Sequence, residues 1–250
     1  MSIDLNSDLG ESFGNFTIGN DSAVLDLVSS ANIACGFHAG DPLVMRRTVR
    51  QAADRGVRIG AHVGYRDLPG FGRRFIAYAP EQLTAEVLFQ IGALQAVAKA
   101  EGTEVTYVKP HGALYNHIAR GEEQAQAVIE GIKLADPNLC LMGLSGTPIL
   151  QWAEAAGLST LSETFADRAY EPDGSLVSRS KEGAVHHDPA VAVRQALAFA
   201  TGTSFTAIDG SPITVHADSI CVHGDNPAAL DLVKAIIKTL DDEGIEVSSR

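Results

Sequence analysis

Two apolar patterns alternate along this 250-residue chain. Short apolar runs stand at 3–5, 32–36, 58–63, 105–108, 139–143, 158–161 and 220–222. They have strand length and little polar alternation, as expected of strands covered on both faces. Between them lie longer segments with apolar residues at helical spacing. One, at 80–102, carries Leu83, Val87, Ile91, Leu94 and Ala98 on one face; another, at 227–244, carries Leu230, Val233, Ile237 and Leu240. The punctuation is regular: Pro opens helices at Pro42, Pro80, Pro148, Pro189 and Pro227, and Gly follows them at Gly56, Gly102, Gly157, Gly202 and Gly244. Pro at a first helical position needs no amide hydrogen, and Gly past the end accepts a left-handed turn. Two weaker helices are expected at 22–30 and 122–134.

Seven strand-like runs alternating with seven helices predict an α/β protein with a parallel sheet. Length and regular alternation favour a closed (β/α) barrel of TIM type, seven-stranded and therefore distorted, over an open sheet. SFTAIDGSPITVHAD breaks the rhythm, and its Asp-Gly between β-prone runs predicts an inserted hairpin near 204–216. No linker or composition shift divides the chain, so residues 1–250 read as one catalytic domain.

Loops after barrel strands build the site in such folds. The strand exits here present Asn6, Asp8 and Glu11; His38 and Asp41; His62; Lys109 and His111; Ser145; Glu163, Asp167 and Arg168; and His223 with Asp225. Four of the eight histidines fall at these exits, with glycines at Gly36, Gly40, Gly60, Gly64, Gly112 and Gly224 leaving room around them. Histidine beside carboxylate suits proton transfer near neutral pH. Asp8, His38 and His62, from consecutive strands, would equally suit a Zn or Mn site, although no HExxH or local ligand pair is present, so whether a metal binds stays open. Lys109 can stabilise an oxyanion or hold an anion. Arg168, Arg179 and Lys181 lie in a long loop that could close over an anionic ligand.

The net charge of −12 disfavours nucleic acid and anionic membranes as partners. No apolar stretch reaches the ~18 residues of a membrane span, the acidic N-terminus is unlike a leader, and three dispersed cysteines suit a reduced cytoplasmic setting. Eight of the 19 basic residues cluster between Arg46 and Arg74; among them Arg66, Arg73 and Arg74 sit in a glycine-rich loop suited to an anion or a partner. No Gly-Lys dipeptide or GxSxG elbow occurs, so neither a P-loop nor a nucleophile elbow is present.

The motifs DLNSDLGESFG, NIACGFHAGDP, GAHVGYRDLPGFGRR, YVKPHGALYN, ETFADRAY and ADSICVHGDNPAAL closely resemble the LamB/YcsF family, from residue 4 to about residue 240. Ser7 departs from the family's usual Cys. The resemblance implies a seven-stranded barrel and an ATP-dependent 5-oxoprolinase, which opens the lactam of 5-oxoproline to L-glutamate with partner subunits B and C. It implies that ATP is handled with those partners. On this basis Asp8, His38, His62, Lys109 and His111 are the expected catalytic residues: His38 or His62, held by Asp8 or Asp41, as base, His111 as acid and Lys109 at the oxyanion. Asn6, Glu11, Asp41, Glu163, Asp167, Arg168, Arg179 and Asp225 are expected to bind substrate. A metal-dependent amide or sugar hydrolase acting alone, and a non-catalytic scaffold protein, are the competing readings.

Overall fold

The computed structural model describes residues 1–224 and 227–249. Its strands are β1 (Ser2–Leu9), β2 (Ser30–Ala34), β3 (Arg58–His62), β4 (Val105–Val108), β5 (Cys140–Leu144), β6 (Thr160–Phe165), β7 (Phe205–Thr206), β8 (Pro212–Ile213), β9 (Ser219–Cys221) and β10 (Glu246–Val247). The α-helices are α1 (Asp21–Leu25), α2 (Pro42–Asp54), α3 (Pro80–Ala100), α4 (Gly112–Ile118), α5 (Glu122–Ala135), α6 (Pro148–Ala155), α7 (Pro189–Thr201) and α8 (Pro227–Asp242).

Strands β1 to β6 and β9 pair in parallel, and β1 pairs with both β2 and β9, which closes a seven-stranded barrel. The short β10 lies beside the start of β1, Ser2 opposite Glu246. Strands β7 and β8 form a separate antiparallel hairpin, Phe205 opposite Ile213, within the predicted insertion.

Asp41 and Asp188 cap α2 and α7, each accepting from backbone amides in the first turn. Thr147 does not cap α6; its hydroxyl donates to the Leu144 carbonyl instead. The α3 stripe is buried as its spacing predicts, from Leu83 to Ala98. Three elements escaped the sequence reading: α4, β10 and a 3-10 turn at Leu68–Gly70. The predicted helix at 22–30 ends at Leu25, and Ser30 already belongs to β2.

The barrel interior is polar. Alternate residues of β1, namely Asp4, Asn6 and Asp8, project inward, while Ile3, Leu5 and Leu9 join the apolar layer. The Asp4 carboxylate accepts from Ser29, Ser30 and Ser219 hydroxyls. Asn6 donates to Ser219 at 2.7 Å and accepts from Asn32 at 2.8 Å, and Tyr107 donates to Asn32 at 2.6 Å. Each buried polar group in this column meets a partner, which offsets its desolvation and fixes the strand register. Gly60 makes the column possible: a Cβ there would overlap the Tyr107 ring.

Candidate active site at the barrel mouth

Above this column a cavity of about 310 Å³ opens at the C-terminal ends of the strands. Asp8, Glu11, His62, Lys109 and His111 line one side, and Phe165, Arg168, Leu176 and Arg179 line the other.

Lys109 follows β4 directly, so its side chain enters the barrel beneath the cavity. Its ammonium is buried and lies 2.8 Å from Asp8 Oδ1, 2.7 Å from Glu163 Oε1 and 3.4 Å from Cys221 Sγ. Burial pushes the Lys109 pKa down, but the charges of Asp8 and Glu163 overcome it and hold it well above the usual lysine value. Burial likewise pushes Asp8 up, yet His62 and Lys109 keep it well below the usual carboxylate range. Asp8 therefore stays ionised between two cations.

The protons of the histidine pair follow from geometry. His62 Nδ1 lies 2.8 Å from the Lys109 carbonyl, and His111 Nε2 lies 2.8 Å from the Phe71 carbonyl. Carbonyls only accept, so both nitrogens carry hydrogen. The two remaining nitrogens, His62 Nε2 and His111 Nδ1, face each other at 2.9 Å and share one further proton. Burial lowers His62, but Asp8, 3.2 Å away, more than reverses this and raises it. Burial, then His38 and His62, push His111 down to about 2. The proton belongs to His62, and His111 accepts it as a hydrogen bond.

Phe71 sets this tautomer at a conformational cost. With φ 54° it is the one non-glycine residue with positive φ among the described residues. Such a backbone is unfavourable for a bulky side chain, and here it turns the Phe71 carbonyl onto His111. Gly72 follows closely: a Cβ there would meet both His38 and His111.

Glu11 Oε1 lies 3.3 Å from His38 Nε2 and 3.6 Å from His111 Nδ1. Burial and then the Asp8 charge raise its pKa. Glu11 thus faces the cavity with a carboxyl more basic than an ordinary glutamate.

Several expected residues take other places. His38 is fully buried and stacks on His111, with ring centroids 3.7 Å apart and planes within 5°; it supports the pair from behind and does not line the cavity. Asn6 belongs to the interior column. Asp41 caps α2 and also accepts from Gly14, so it holds a loop and not the His38 ring. Glu163 lies within β6, because that strand runs to Phe165 rather than ending at 161, and its carboxylate meets Lys109 beneath the cavity. Asp167 pairs with His223 at 3.1 Å, and Arg168 and Arg179 line the cavity. Asp225 lies outside the described residues. Gly60 and Gly64 make room, as expected, but for Tyr107 and His38. The cavity also has Phe71, Arg73, Tyr115 and His223 on its wall. Of these, His223 and Arg73 were visible in the sequence as an exit histidine and a loop cation, whereas Phe71 and Tyr115 gave no chemical signal.

Donor atoms of Glu11, His38, His62 and His111 lie within 4.8 Å of one another, which raises the question of a metal. The arrangement does not fit a coordination shell. Two tetrahedral bonds of about 2.05 Å subtend about 3.3 Å between donors, and the His62–His111 separation of 2.9 Å is a hydrogen bond. Parallel rings 3.7 Å apart cannot both direct in-plane lone pairs at one ion. His38 Nδ1 is buried without a hydrogen-bond partner, so ligation through Nε2 would bury an unsatisfied N–H.

Comparison with known proteins agrees with this barrel. The LamB/YcsF family matches residues 3–250. The chain is 66% identical to the 5-oxoprolinase A subunit of Corynebacterium efficiens, over 98% of this chain and 96% of that one. It is 52% identical to the 5-oxoprolinase A subunit of Mycobacterium avium, over 98% and 97%. A lactam utilization protein from Thermus thermophilus superposes with a TM-score of 0.96 at 45% identity, covering all of both chains. A putative cellobiose-phosphate cleavage protein from Enterococcus faecalis shares the fold, with a TM-score of 0.56 at 12% identity over 99% of this chain and 97% of that one. With its family motifs assembled around one barrel mouth, this chain belongs to the LamB/YcsF family.

Proposed function

We propose that this chain carries the lactam-opening site of an ATP-dependent 5-oxoprolinase, which converts 5-oxoproline to L-glutamate together with partner subunits B and C. The observation that carries the reading is the Asp8–Lys109–His62 charge cluster opening onto the cavity of about 310 Å³, with Glu11 at its edge. The relatives named as the A subunit of a 5-oxoprolinase support it.

An unstrained lactam is a poor electrophile, and phosphorylation of its amide oxygen makes the ring carbon reactive. With no P-loop in this chain, the phosphoryl transfer from ATP is assigned to the partner subunits. Water then adds to the ring carbon, and its proton passes to the Glu11 carboxylate. Charge developing on oxygen faces the Lys109 ammonium and the His62 imidazolium, both anchored by Asp8. The C–N bond breaks as the ring nitrogen takes a proton from Glu11, which leaves the side-chain carboxyl as an acyl phosphate, and a second water hydrolyses it to glutamate and inorganic phosphate.

These roles differ from those expected from sequence. His62 already holds its proton, so it supplies charge in place of a base. His111 has its single N–H on the Phe71 carbonyl, so it is no acid; it orients His62. His38 braces that pair. General acid–base assistance of this kind contributes about 10²–10⁴-fold.

ATP-linked chemistry and three unpaired thiols suit a cytoplasmic enzyme, with residues 1–250 acting as one catalytic domain. No described helix is long and apolar enough to cross a membrane. The test is glutamate release from 5-oxoproline and ATP, by this chain alone and with subunits B and C. Release only in the mixture supports the reading. Release by the chain alone contradicts the assignment of ATP to the partners, and silence in a mixture of folded components contradicts the function.

A further inference from the structure

The cation balance around the cavity is uneven. Lys109 lies between Asp8 and Glu163, at 2.8 and 2.7 Å. Arg73, on the histidine side, faces the raised carboxyl of Glu11. Neither of the two arginines that follow β6 has a salt-bridge partner among the described residues, although the Asp167 charge favours Arg168. Arg168 is buried, and its guanidinium donates from Nε to the Ala184 carbonyl at 3.1 Å and from Nη2 to the Val177 carbonyl at 2.6 Å. These carbonyls satisfy its hydrogen bonds, and Asp167 offsets its charge only in part, since burial and Arg179 together hold the Arg168 pKa below the usual arginine value.

Arg179 extends from the same segment onto the cavity wall, close enough that its charge, after burial, lowers the Arg168 pKa. Two carboxylates of the described residues after β6 are engaged elsewhere: Asp167 with His223 at 3.1 Å and Glu171 with Lys181 at 3.1 Å. Two guanidiniums side by side repel each other. A buried, hydrogen-bonded Arg168 beneath an exposed Arg179 persists at low cost only if an anion relieves them. Phe165 and Leu176, on the same wall, offer apolar contact to ring methylenes.

We infer that Arg179, supported from beneath by Arg168, reads the carboxylate of the bound lactam, so that the site selects an acid-bearing lactam over a neutral one. This rests on the lactam reading above and deepens it, because it names the feature of the substrate that is recognised. The carboxylate sits at the β6 side and the scissile amide is thereby presented to Glu11, His62 and Lys109. Guanidinium matches carboxylate in a planar, two-bonded contact.

The experiment compares 5-oxoproline with its neutral carboxamide, in the complete mixture with subunits B and C. Binding and steady-state turnover are measured for wild type, Arg179→Gln and Arg73→Gln. A charge-assisted contact is worth roughly 1.5–3 kcal/mol, about 10- to 150-fold. Wild type is expected to prefer the acid by a factor in that range. Arg179→Gln should reduce this preference to within about 3-fold by raising KM for the acid, with kcat at saturation and affinity for the carboxamide little changed. Arg73→Gln should keep the preference. Retained preference in Arg179→Gln, equal losses for acid and carboxamide, or loss of preference in Arg73→Gln overturns the inference and leaves the lactam reading intact. Wild type that binds neither ligand overturns both. Arg179 is exposed, so its substitution leaves folding unaffected, and a thermal melt verifies this.

Discussion

Removing the buried cation at the centre of the site gives a sharp energetic test. Lys109→Met deletes the ammonium that joins Asp8 and Glu163. Asp8 keeps His62 and some solvent contact, but Glu163 is fully buried with Lys109 as its only salt-bridge partner among the described residues. Breaking a buried pair from one side costs about 3–5 kcal/mol, because the orphaned charge has lost its compensation. That is a large part of a typical stability of roughly 5–15 kcal/mol. Glu163→Gln removes the same contact from the other side. It leaves Lys109 with Asp8 and Asn6, so about 1–3 kcal/mol is expected. The double variant has no orphan and should be more stable than the sum of the single losses by about 1–3 kcal/mol. Urea unfolding followed by circular dichroism reads all four proteins, with a constant slope as the two-state check. Additivity within about 0.5 kcal/mol, or a Lys109→Met loss below about 1 kcal/mol, would refute the buried-triad account.

Two further outcomes follow from the same core. Burial holds His111 at about 2 and His38 well below 6.5, while in the unfolded chain both titrate near 6.5. The unfolded chain thus binds more protons below pH 6.5, and stability falls as the pH is lowered there, by about 1.4 kcal/mol per unit for each group. His62 acts the other way. Its pKa is raised, so its contribution is complete below 6.5 and is lost as pH climbs through the folded value. Urea midpoints at pH 7, 6 and 5 should trace this acid limb, and His111→Gln should flatten it; an unchanged slope contradicts the assignment. Separately, Gly60→Ala places a methyl within the Tyr107 ring and should cost about 1–3 kcal/mol through overpacking, while a neutral change in melting would show that the column yields easily.

Much of the barrel was legible because its helices carry Pro and Gly at their ends and its strands are apolar runs. The hairpin followed from Asp-Gly set between two β-prone runs. β10 was not legible, since Glu246–Val247 has neither length nor pattern and pairs only because the chain end returns beside β1. α4 begins at Gly112, after His111, which makes no side-chain cap, so no local signal marked it.

The clustering of Asp8, His62, Lys109 and His111 was readable from strand exits. Their division of labour was not, because it depends on which carbonyl each ring nitrogen meets, and Phe71 supplies one of those carbonyls from a loop with no chemical signature. Asn6 looked like a site residue because the first strand was read as 3–5, which placed Asn6 at its exit, whereas β1 runs to Leu9. The period-two alternation of Asp4, Asn6 and Asp8 against Leu5, Ser7 and Leu9 nevertheless places it inside. The β6 boundary, read four residues short, moved Glu163 from the mouth to the interior.

The central claim is that ring opening occurs at this cavity with Glu11 moving the proton. Its most direct test is glutamate formation from 5-oxoproline and ATP in the complete mixture, with Glu11→Gln in place of wild type. The account predicts a fall of at least ~10²-fold with 5-oxoproline still bound. Glutamate release at the wild-type rate would place the chemistry elsewhere.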